Sequence, residues 1–169
     1  MPLADFQITN LALAGMVQPF DPELVNPASL DVRLGDSILI ESVVGDAMVP
    51  YPLSNHTATS PYLLSPGQFV LAHTAAWLAI PPSLSAQFAL KSSRAREGLQ
   101  HLLAGWIDPG FEGVLTLELK NIRQLQPVPI WPGLLIGQLV FHPMNARPRR
   151  SYAETGRYNG DTTVQQSRG

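Results

Sequence analysis

One short segment combines a lysine, two serines and two arginines at spacings that suit an anion. It reads Lys-Ser-Ser-Arg-Ala-Arg-Glu-Gly-Leu from Lys91 onward, and this pattern predicts a short helix that begins at Ser92 and ends before Gly98. Backbone N–H groups at a helix start lack partners, and Arg96 lies one turn beyond Ser92 on the same face. The segment therefore fits polyphosphate binding by Lys91, Arg96 and the helix start with its two hydroxyl groups. It also fits an ordinary serine N-cap on a solvated helix, which is a common arrangement.

A second segment is dense in glycine, proline and small residues. From Ala104 it reads Ala-Gly-Trp-Ile-Asp-Pro-Gly-Phe-Glu-Gly, which predicts a tight hairpin whose backbone can approach a ligand closely. Asp108 can accept a hydrogen bond from a sugar hydroxyl there. An Asp-Pro-Gly turn in which Asp108 bonds its own backbone explains the same residues equally well.

Glu118 lies in the most regular alternating stretch of the chain. Leucines at 115, 117 and 119 alternate with Val114, Thr116 and Glu118, so the glutamate shares one face of a strand with Val114 and Thr116. A glutamate on the solvent face of a half-buried strand is common. If this face instead lines a cleft, desolvation raises the carboxyl pKa and suits it to proton transfer.

The elements that must position these residues are mostly short strands. Sixteen prolines and thirteen glycines divide the chain, and apolar or alternating runs predict strands. The predicted strands cover residues 30–34, 37–40, 68–73, 77–80, 114–119, 128–131 and 134–141. A helix is predicted over residues 3–16, and residues after 141 lose the apolar periodicity and form a tail. This spacing favours a β-sandwich or barrel over βαβ units.

Composition excludes several function classes. The 169 residues include 45% hydrophobic residues and carry a formal net charge of −2, which predicts one globular domain and argues against binding of a nucleic-acid polymer. Apolar runs are too short to span a membrane and no secretory signal is evident, so we expect a cytoplasmic protein. The chain has no cysteine and lacks the motifs of the zinc nucleoside deaminases, so any deamination must proceed without zinc.

We expect structural roles for the four histidines and the three tryptophans. The histidines show no metal-ligand spacing, although His101 lies close in sequence to the two segments described above. We expect Trp77, Trp106 and Trp131 to serve the core or an interface.

Taken in order, these segments resemble the dCTP deaminase family of the dCTP deaminase/dUTPase superfamily. The resemblance covers nearly the whole chain and rests on six stretches. They are Asn-Pro-Ala-Ser-Leu-Asp-Val-Arg-Leu at 26–34, Pro-Gly-Gln-Phe-Val-Leu-Ala at 66–72, Lys-Ser-Ser with Arg96 and Gly-Leu at 91–99, the hairpin and strand from Ala104 to Glu118, Trp-Pro-Gly at 131–133, and Ile-Gly-Gln-Leu at 136–139.

The resemblance implies a fold and an assembly. The fold is an all-β, distorted barrel or jelly roll of the dUTPase type with short helices, assembled as a homotrimer with active sites between subunits. It further implies that residues 1–145 form the barrel domain with its N-terminal helix, and that residues 146–169 form a tail closing over the nucleotide.

The resemblance also implies roles for individual residues. Glu118 would be the general acid and base, while Ser92 and the Ala104 carbonyl would position water and the exocyclic amine. Arg96 would hold the carboxylate network, and Asp108 would contact the deoxyribose. Further nucleotide-binding positions are Lys91, Ser93, Gly105, Trp106, Ile107, Gln138, Arg157 and Tyr158. Magnesium is expected on the triphosphate, with no dedicated protein metal site.

The implied reaction is hydrolysis of dCTP to dUTP and ammonia. The Ala-Gly-aromatic-Ile-Asp sequence from Ala104 is closer to the bifunctional branch, whose members continue to dUMP and pyrophosphate. One alternative is a dedicated dUTPase, but this tail lacks the glycine-rich arm typical of those enzymes. The other alternative is a non-catalytic nucleotide-binding regulator, which is suggested by four departures from the family pattern. These departures are Arg94, Glu97, Arg157 and Asp161.

Overall fold

The N-terminal helix is shorter than its apolar pattern predicts. The computed structural model describes residues 1–169, and helix α1 covers Asp5–Leu11 before a π-helical turn at Ala12–Met16. Gly15 has a φ of 101°, a left-handed conformation that ends the helical run. Ile8 and Met16 are buried, so the whole segment still packs on the core.

The remaining helical elements are brief. Helix α2, Ser92–Arg96, lies where the sequence predicts it, and Gly98 follows with a φ of 95°. Helix α3, Tyr152–Thr155, lies in the tail and has no counterpart in the predicted elements. A 3-10 turn covers Pro22–Leu24. None of the helices is both long enough and apolar enough to cross a membrane.

Fifteen short strands make up most of the ordered structure. In chain order they are β1 Val17–Gln18, β2 Val25–Asn26, β3 Ser29–Arg33, β4 Ser37–Glu41, β5 Met48–Pro52, β6 Tyr62–Leu64, β7 Phe69–His73, β8 Trp77–Ala79, β9 Leu84–Leu90, β10 Leu99–Gln100, β11 Trp106–Ile107, β12 Glu112–Gly113, β13 Thr116–Asn121, β14 Val128–Ile130 and β15 Leu135–Pro143.

These strands form two large sheets and two small ones, with antiparallel pairing throughout. One five-stranded sheet has the order β11-β9-β15-β3-β2 and the other the order β10-β13-β7-β4-β5. A three-stranded sheet, β1-β8-β12, and the pair β14-β6 complete the set. The arrangement confirms the predicted mainly-β, jelly-roll-type architecture, although the sheets do not close into one continuous barrel.

Strand β9 is the principal element that the sequence pattern missed. Its sequence, Leu-Ser-Ala-Gln-Phe-Ala-Leu, is poor in the β-branched residues that favour strands. It nevertheless pairs with β15 along seven residues and with β11 on its other edge. The central position and the burial of Phe88 and Ala86 in the core therefore outweigh local propensity.

Strand β13 starts two residues later than predicted but keeps the predicted faces. Val114 donates its backbone N–H to the Asp161 carbonyl at 2.9 Å, and Leu115 donates to the Thr74 hydroxyl at 3.0 Å. The backbone N–H groups of these two residues therefore do not take part in the hydrogen bonds that pair β13 with β7. Within the strand, Leu117 lies in the core while Glu118 points to the opposite face.

Candidate active site

A cavity of about 680 Å³ opens on the face of the sheet that carries Glu118. Strands β5, β7 and β13 supply part of its wall, and the hairpin from Ala104 to Phe111 supplies another part. The tail contributes through Tyr152, Tyr158 and the segment Gln165–Ser167. Three separate regions of the chain thus converge on one cleft of the size that small-molecule sites have.

Glu118 is half-buried in this cavity and has no ion-pair partner in the chain. Desolvation raises the pKa of its carboxyl above the ordinary value, and a backbone hydrogen bond opposes that shift. It lies opposite Leu71 of β7, which lines the same cavity. A carboxyl with a raised pKa can accept and return a proton closer to neutral pH than an exposed glutamate can.

The hairpin brings Ala104, Trp106, Ile107 and Asp108 into the lining with Glu118. Its entry requires Gly105, because a Cβ there would lie 2.4 Å from the Phe88 carbonyl oxygen. Phe88 also donates its N–H to the Gly105 carbonyl at 2.7 Å. We call Ala104, Trp106, Ile107 and Asp108 together with Glu118 the cavity group.

The turn before the hairpin is conformationally unusual. Leu102 and Leu103 have φ values of 55° and 63°, a left-handed conformation that is uncommon for leucine. Leu103 is 83% exposed. Strain of this kind and an exposed apolar tip both concentrate at functional or interaction surfaces.

The remaining predicted motif residues lie outside this cavity. None of Lys91, Ser92, Ser93, Arg96 and Gln138 contributes to its wall, and we call this set the Lys91 group. Its two serines and Arg96 are exposed on α2. Within one chain, the structure therefore does not bring the two groups together.

Side chains on β2 and β3 organise the Lys91 group. The Lys91 ammonium forms an ion pair with Asp31, whose other carboxylate oxygen accepts a hydrogen bond from Asn26 at 2.9 Å. Ser29 donates to the Gln138 side-chain oxygen at 2.8 Å. Three of these residues lie in the motif at 26–34, where the available sequence signal was an aspartate among the apolar residues of a predicted strand.

Residues of the tail line part of the cavity, and several contacts hold the tail there. Val164 is buried against Leu39 and Leu71. The Gln166 side-chain amide donates to the Met48 carbonyl at 3.0 Å, and the Gln165 N–H donates to the Thr116 hydroxyl at 3.3 Å. The sequence prediction missed Tyr152 and Gln165–Ser167 because no local pattern marks contacts made across the fold.

Arg168 ties the tail to itself. Its guanidinium lies 2.6 Å from the Asp161 carboxylate and donates to the Arg157 carbonyl. The guanidinium also lies 5.2 Å from the centre of the Tyr158 ring. The hydroxyl of Tyr158 accepts a hydrogen bond from the backbone N–H of Arg168 at 2.9 Å. The negative charge of Asp161, a departure from the family pattern, is thereby compensated within the tail.

Two other departures compensate each other. Arg94 and Glu97 form an ion pair at 2.7 Å on α2, so their charges do not require a functional partner.

His101 packs edge-on against Phe88 with 5.3 Å between ring centroids, and burial lowers its pKa. Trp131 packs on the core as expected, whereas Trp106 is 61% exposed and lines the cavity.

Comparisons with known proteins identify the family of the chain and agree with the fold. A family model described as dCTP deaminase-like matches residues 3–144. The chain is 39% identical to a "dCTP deaminase, dUMP-forming" of Methanosphaerula palustris, over 99% of this chain and 95% of the relative. A protein of the same description from Bifidobacterium longum is 38% identical, over 92% and 86% of the two chains. The chain belongs to the dCTP deaminase-like family.

Solved structures share the fold at low sequence identity. The 2′-deoxycytidine 5′-triphosphate deaminase of Agrobacterium tumefaciens superposes with a TM-score of 0.70 at 23% identity, over 86% of this chain and 48% of that one. The chain thus spans about half the length of that solved structure. The EIAV dUTPase gives a TM-score of 0.51 at 17% identity, over 80% and 89% of the two chains.

Proposed function

We propose that the protein deaminates dCTP to dUTP and ammonia without zinc, and then cleaves dUTP to dUMP and pyrophosphate. The observation that carries the first step is the Glu118 carboxyl, whose pKa is raised by burial in a nucleotide-sized cavity. The second step is supported by the dUMP-forming relatives at 38–39% identity. The Ala-Gly-Trp-Ile-Asp hairpin of the cavity group supports it as well.

In the proposed chemistry, Glu118 transfers both protons. It takes one from a water molecule as the water oxygen bonds to C4 of the cytosine ring. It passes this proton to ring N3, then takes the proton of the new C4 hydroxyl and delivers it to the exocyclic nitrogen, so that the C4–N bond breaks, a C4 carbonyl remains and ammonia leaves. The Ser92 hydroxyl and the Ala104 carbonyl orient the water and the amine, and Arg96 steadies the carboxylate. Positioning of this kind supplies much of the rate enhancement when no metal activates the water.

The other predicted positions bind the nucleotide in this proposal. Asp108 accepts a hydrogen bond from the deoxyribose, beside the wall formed by Gly105, Trp106 and Ile107. Cationic and polar side chains bind the triphosphate, and Tyr158 closes the nucleotide site on the side of the tail. The phosphate-binding residues are Lys91, Ser93, Gln138 and Arg157. For the second step, Asp108 directs a water molecule toward the α-phosphate.

Magnesium fits the donor chemistry of the cavity through the substrate. Asp46, Asp108 and Glu118 place carboxylate oxygens in the cavity wall, and oxygen is the ligand that Mg²⁺ prefers. No group of three or more His, Asp or Glu side chains converges as a metal site. The ion would therefore take most of its ligands from the triphosphate and water, and it would neutralise phosphate charge there.

A homotrimer with sites between subunits accounts for the separation of the two groups. The cavity group and the Lys91 group both carry residues that the reaction needs, yet they lie apart within one chain. In the proposed assembly the Lys91 group of one subunit faces the cavity group of the next. The exposed apolar tip at Leu102 and Leu103 would be covered by that contact.

The tail, residues 146–169, completes the proposed site as a cover. Gln165 and Gln166 line the cavity that contains Glu118 and contact Thr116 and Met48, which supports this role. The Arg168–Asp161 pair keeps the carboxylate of Asp161 from repelling phosphate. The proposal includes a cytoplasmic location and no polymeric nucleic-acid partner.

Product analysis tests the function directly. Purified protein is incubated with dCTP and Mg²⁺, with dUTP in a parallel reaction, and products are separated by anion exchange. We expect ammonia release with dUMP and pyrophosphate as end products. Accumulation of dUTP would restrict the activity to deamination, and survival of dCTP with cleavage of dUTP would identify a dedicated dUTPase. Binding of both nucleotides without turnover would identify a regulatory protein.

A further inference from the structure

Trp106 makes two specific contacts at the cavity although most of its side chain is exposed. Its indole N–H donates to a carboxylate oxygen of Asp108 at 3.1 Å. The ring also stacks on His142, with 6.5 Å between centroids and an interplanar angle of 16°. The hydrogen bond at the N–H and the stacking on one ring face give the Trp106 side chain a defined orientation at the cavity wall. A surface tryptophan without such contacts would lack it.

The backbone fixes where this side chain can point. Trp106 pairs with Gln87 of β9, and Gly105 directly before it is pressed against the Phe88 carbonyl. Residues two apart in an extended segment project to the same side, so Trp106 and Asp108 share one exposed side of the arm, whereas the Ile107 side chain is buried in the core. The hydrogen bond between them therefore follows from the extended geometry of the hairpin arm.

We propose that Trp106 is a positioning residue that holds the Asp108 carboxylate in the orientation needed for the nucleotide sugar. The inference rests on the proposed function, in which Asp108 accepts a sugar hydroxyl. An exposed carboxylate otherwise rotates freely, and binding must then order it at an entropic cost. The indole N–H occupies one carboxylate oxygen and leaves the other for the hydroxyl. Tryptophan has this single donor, so phenylalanine keeps the ring and loses the hydrogen bond.

The test measures nucleotide affinity, so it does not depend on turnover. Full-length protein carrying Glu118→Gln is titrated by calorimetry with dCTP and with 2′,3′-dideoxy-CTP, which lacks the sugar hydroxyl, in Mg²⁺. Adding Trp106→Phe is expected to weaken dCTP binding about 5-fold, the order of one hydrogen bond, and to leave dideoxy-CTP binding unchanged. In an Asp108→Ala background, Trp106→Phe should have no further effect. Trp77→Phe removes an indole N–H outside the cavity lining and serves as the matched control.

Equal weakening for both nucleotides would overturn the inference and show that the ring acts by stacking or packing. Unchanged affinities, or additive effects of the Trp106 and Asp108 substitutions, would overturn it as well. Failure of the proposed function looks different. In that case the protein without the Glu118 substitution releases no ammonia from dCTP, while the hydroxyl-dependent effect of Trp106→Phe persists.

Discussion

The cavity group and the Lys91 group differ in how each handles charge. Glu118 is half-buried without a charged partner, and its pKa is raised as a result. Lys91 is paired with Asp31, while Ser92, Ser93 and Arg96 are exposed on a five-residue helix. The Glu118 carboxyl of the cavity group is thus partly desolvated and uncompensated, whereas the Lys91 group is either compensated or open to solvent.

The difference matches the two parts of the proposed reaction. Desolvation favours proton transfer by a carboxyl near neutral pH, because full solvation would return the pKa to its ordinary value. Binding of a triphosphate requires accessible cations and hydroxyl groups that exchange water for phosphate. When the two groups lie apart in one subunit, the carboxyl can be desolvated while the cations stay accessible. In the proposed trimer, assembly then brings the two groups into one site. The predictions below test this division.

Glu118→Gln should produce the largest effect. The amide keeps the shape of the side chain but cannot shuttle protons, so deamination should fall by about 10²- to 10⁴-fold. Nucleotide affinity should remain close to the original value. Steady-state ammonia release and calorimetry measure the two quantities, and retention of substantial deamination would remove Glu118 from the mechanism.

Mixing two inactive variants tests whether the groups come from different subunits. Ser92→Ala and Glu118→Gln are each expected to have little activity alone. If a site combines the groups of two subunits, randomly mixed trimers restore both residues in roughly a quarter of the sites. Co-expression should therefore recover roughly a quarter of the original activity per site.

The matched control combines Asp108→Ala with Glu118→Gln, since both positions belong to the cavity group of one chain. No recovery is expected from that mixture. If the Ser92 and Glu118 variants also fail to complement, the site lies within a single subunit and the trimer has no catalytic role.

Arg168→Ala should have an intermediate effect on the tail. Loss of the pair with Asp161 leaves that carboxylate uncompensated, and we expect the KM for dCTP to rise about 5-fold with a smaller change in kcat, since the pair is partly exposed. Arg149→Ala removes an exposed tail arginine and should leave KM unchanged. Asp161→Asn in the Arg168→Ala background should lower KM again by removing the repulsion.

The smallest expected effect concerns stability as a function of pH. Burial raises the folded-state pKa of Glu118 above the ordinary value of 4.5. The stability that protonated Glu118 contributes is therefore complete below about pH 4.5 and is lost as pH rises through the raised folded-state value. Glu118→Gln cannot ionise, so its melting temperature should match that of the unsubstituted protein in acid and exceed it at neutral pH. Equal melting temperatures at neutral pH would show that Glu118 is not desolvated.

Much of the fold was predictable because its signals are local. Alternation with a period of two places Glu118 on the strand face opposite to that of Leu117 and Leu119, without any knowledge of the tertiary structure. Helix α2 with Gly98 at its end, and the hairpin from Ala104, follow from turn and capping chemistry in the same way. Strand β9 escaped prediction because its alanine, serine and glutamine carry little strand preference, and only pairing with β15 makes it a strand.

By itself, the sequence determined the family, the types of most elements, and the face of the strand on which Glu118 lies. The tertiary structure decided that the cavity group and the Lys91 group lie apart, that Asp31 pairs with Lys91, that Arg168 compensates Asp161, and that Trp106 turns toward Asp108. The first two depend on where distant segments meet, since 60 residues separate Asp31 from Lys91, whereas the contacts of Arg168 and Trp106 depend on the conformations of the tail and of the hairpin. Periodicity and turn preferences describe neighbours along the chain, whereas charge compensation and desolvation depend on neighbours in space.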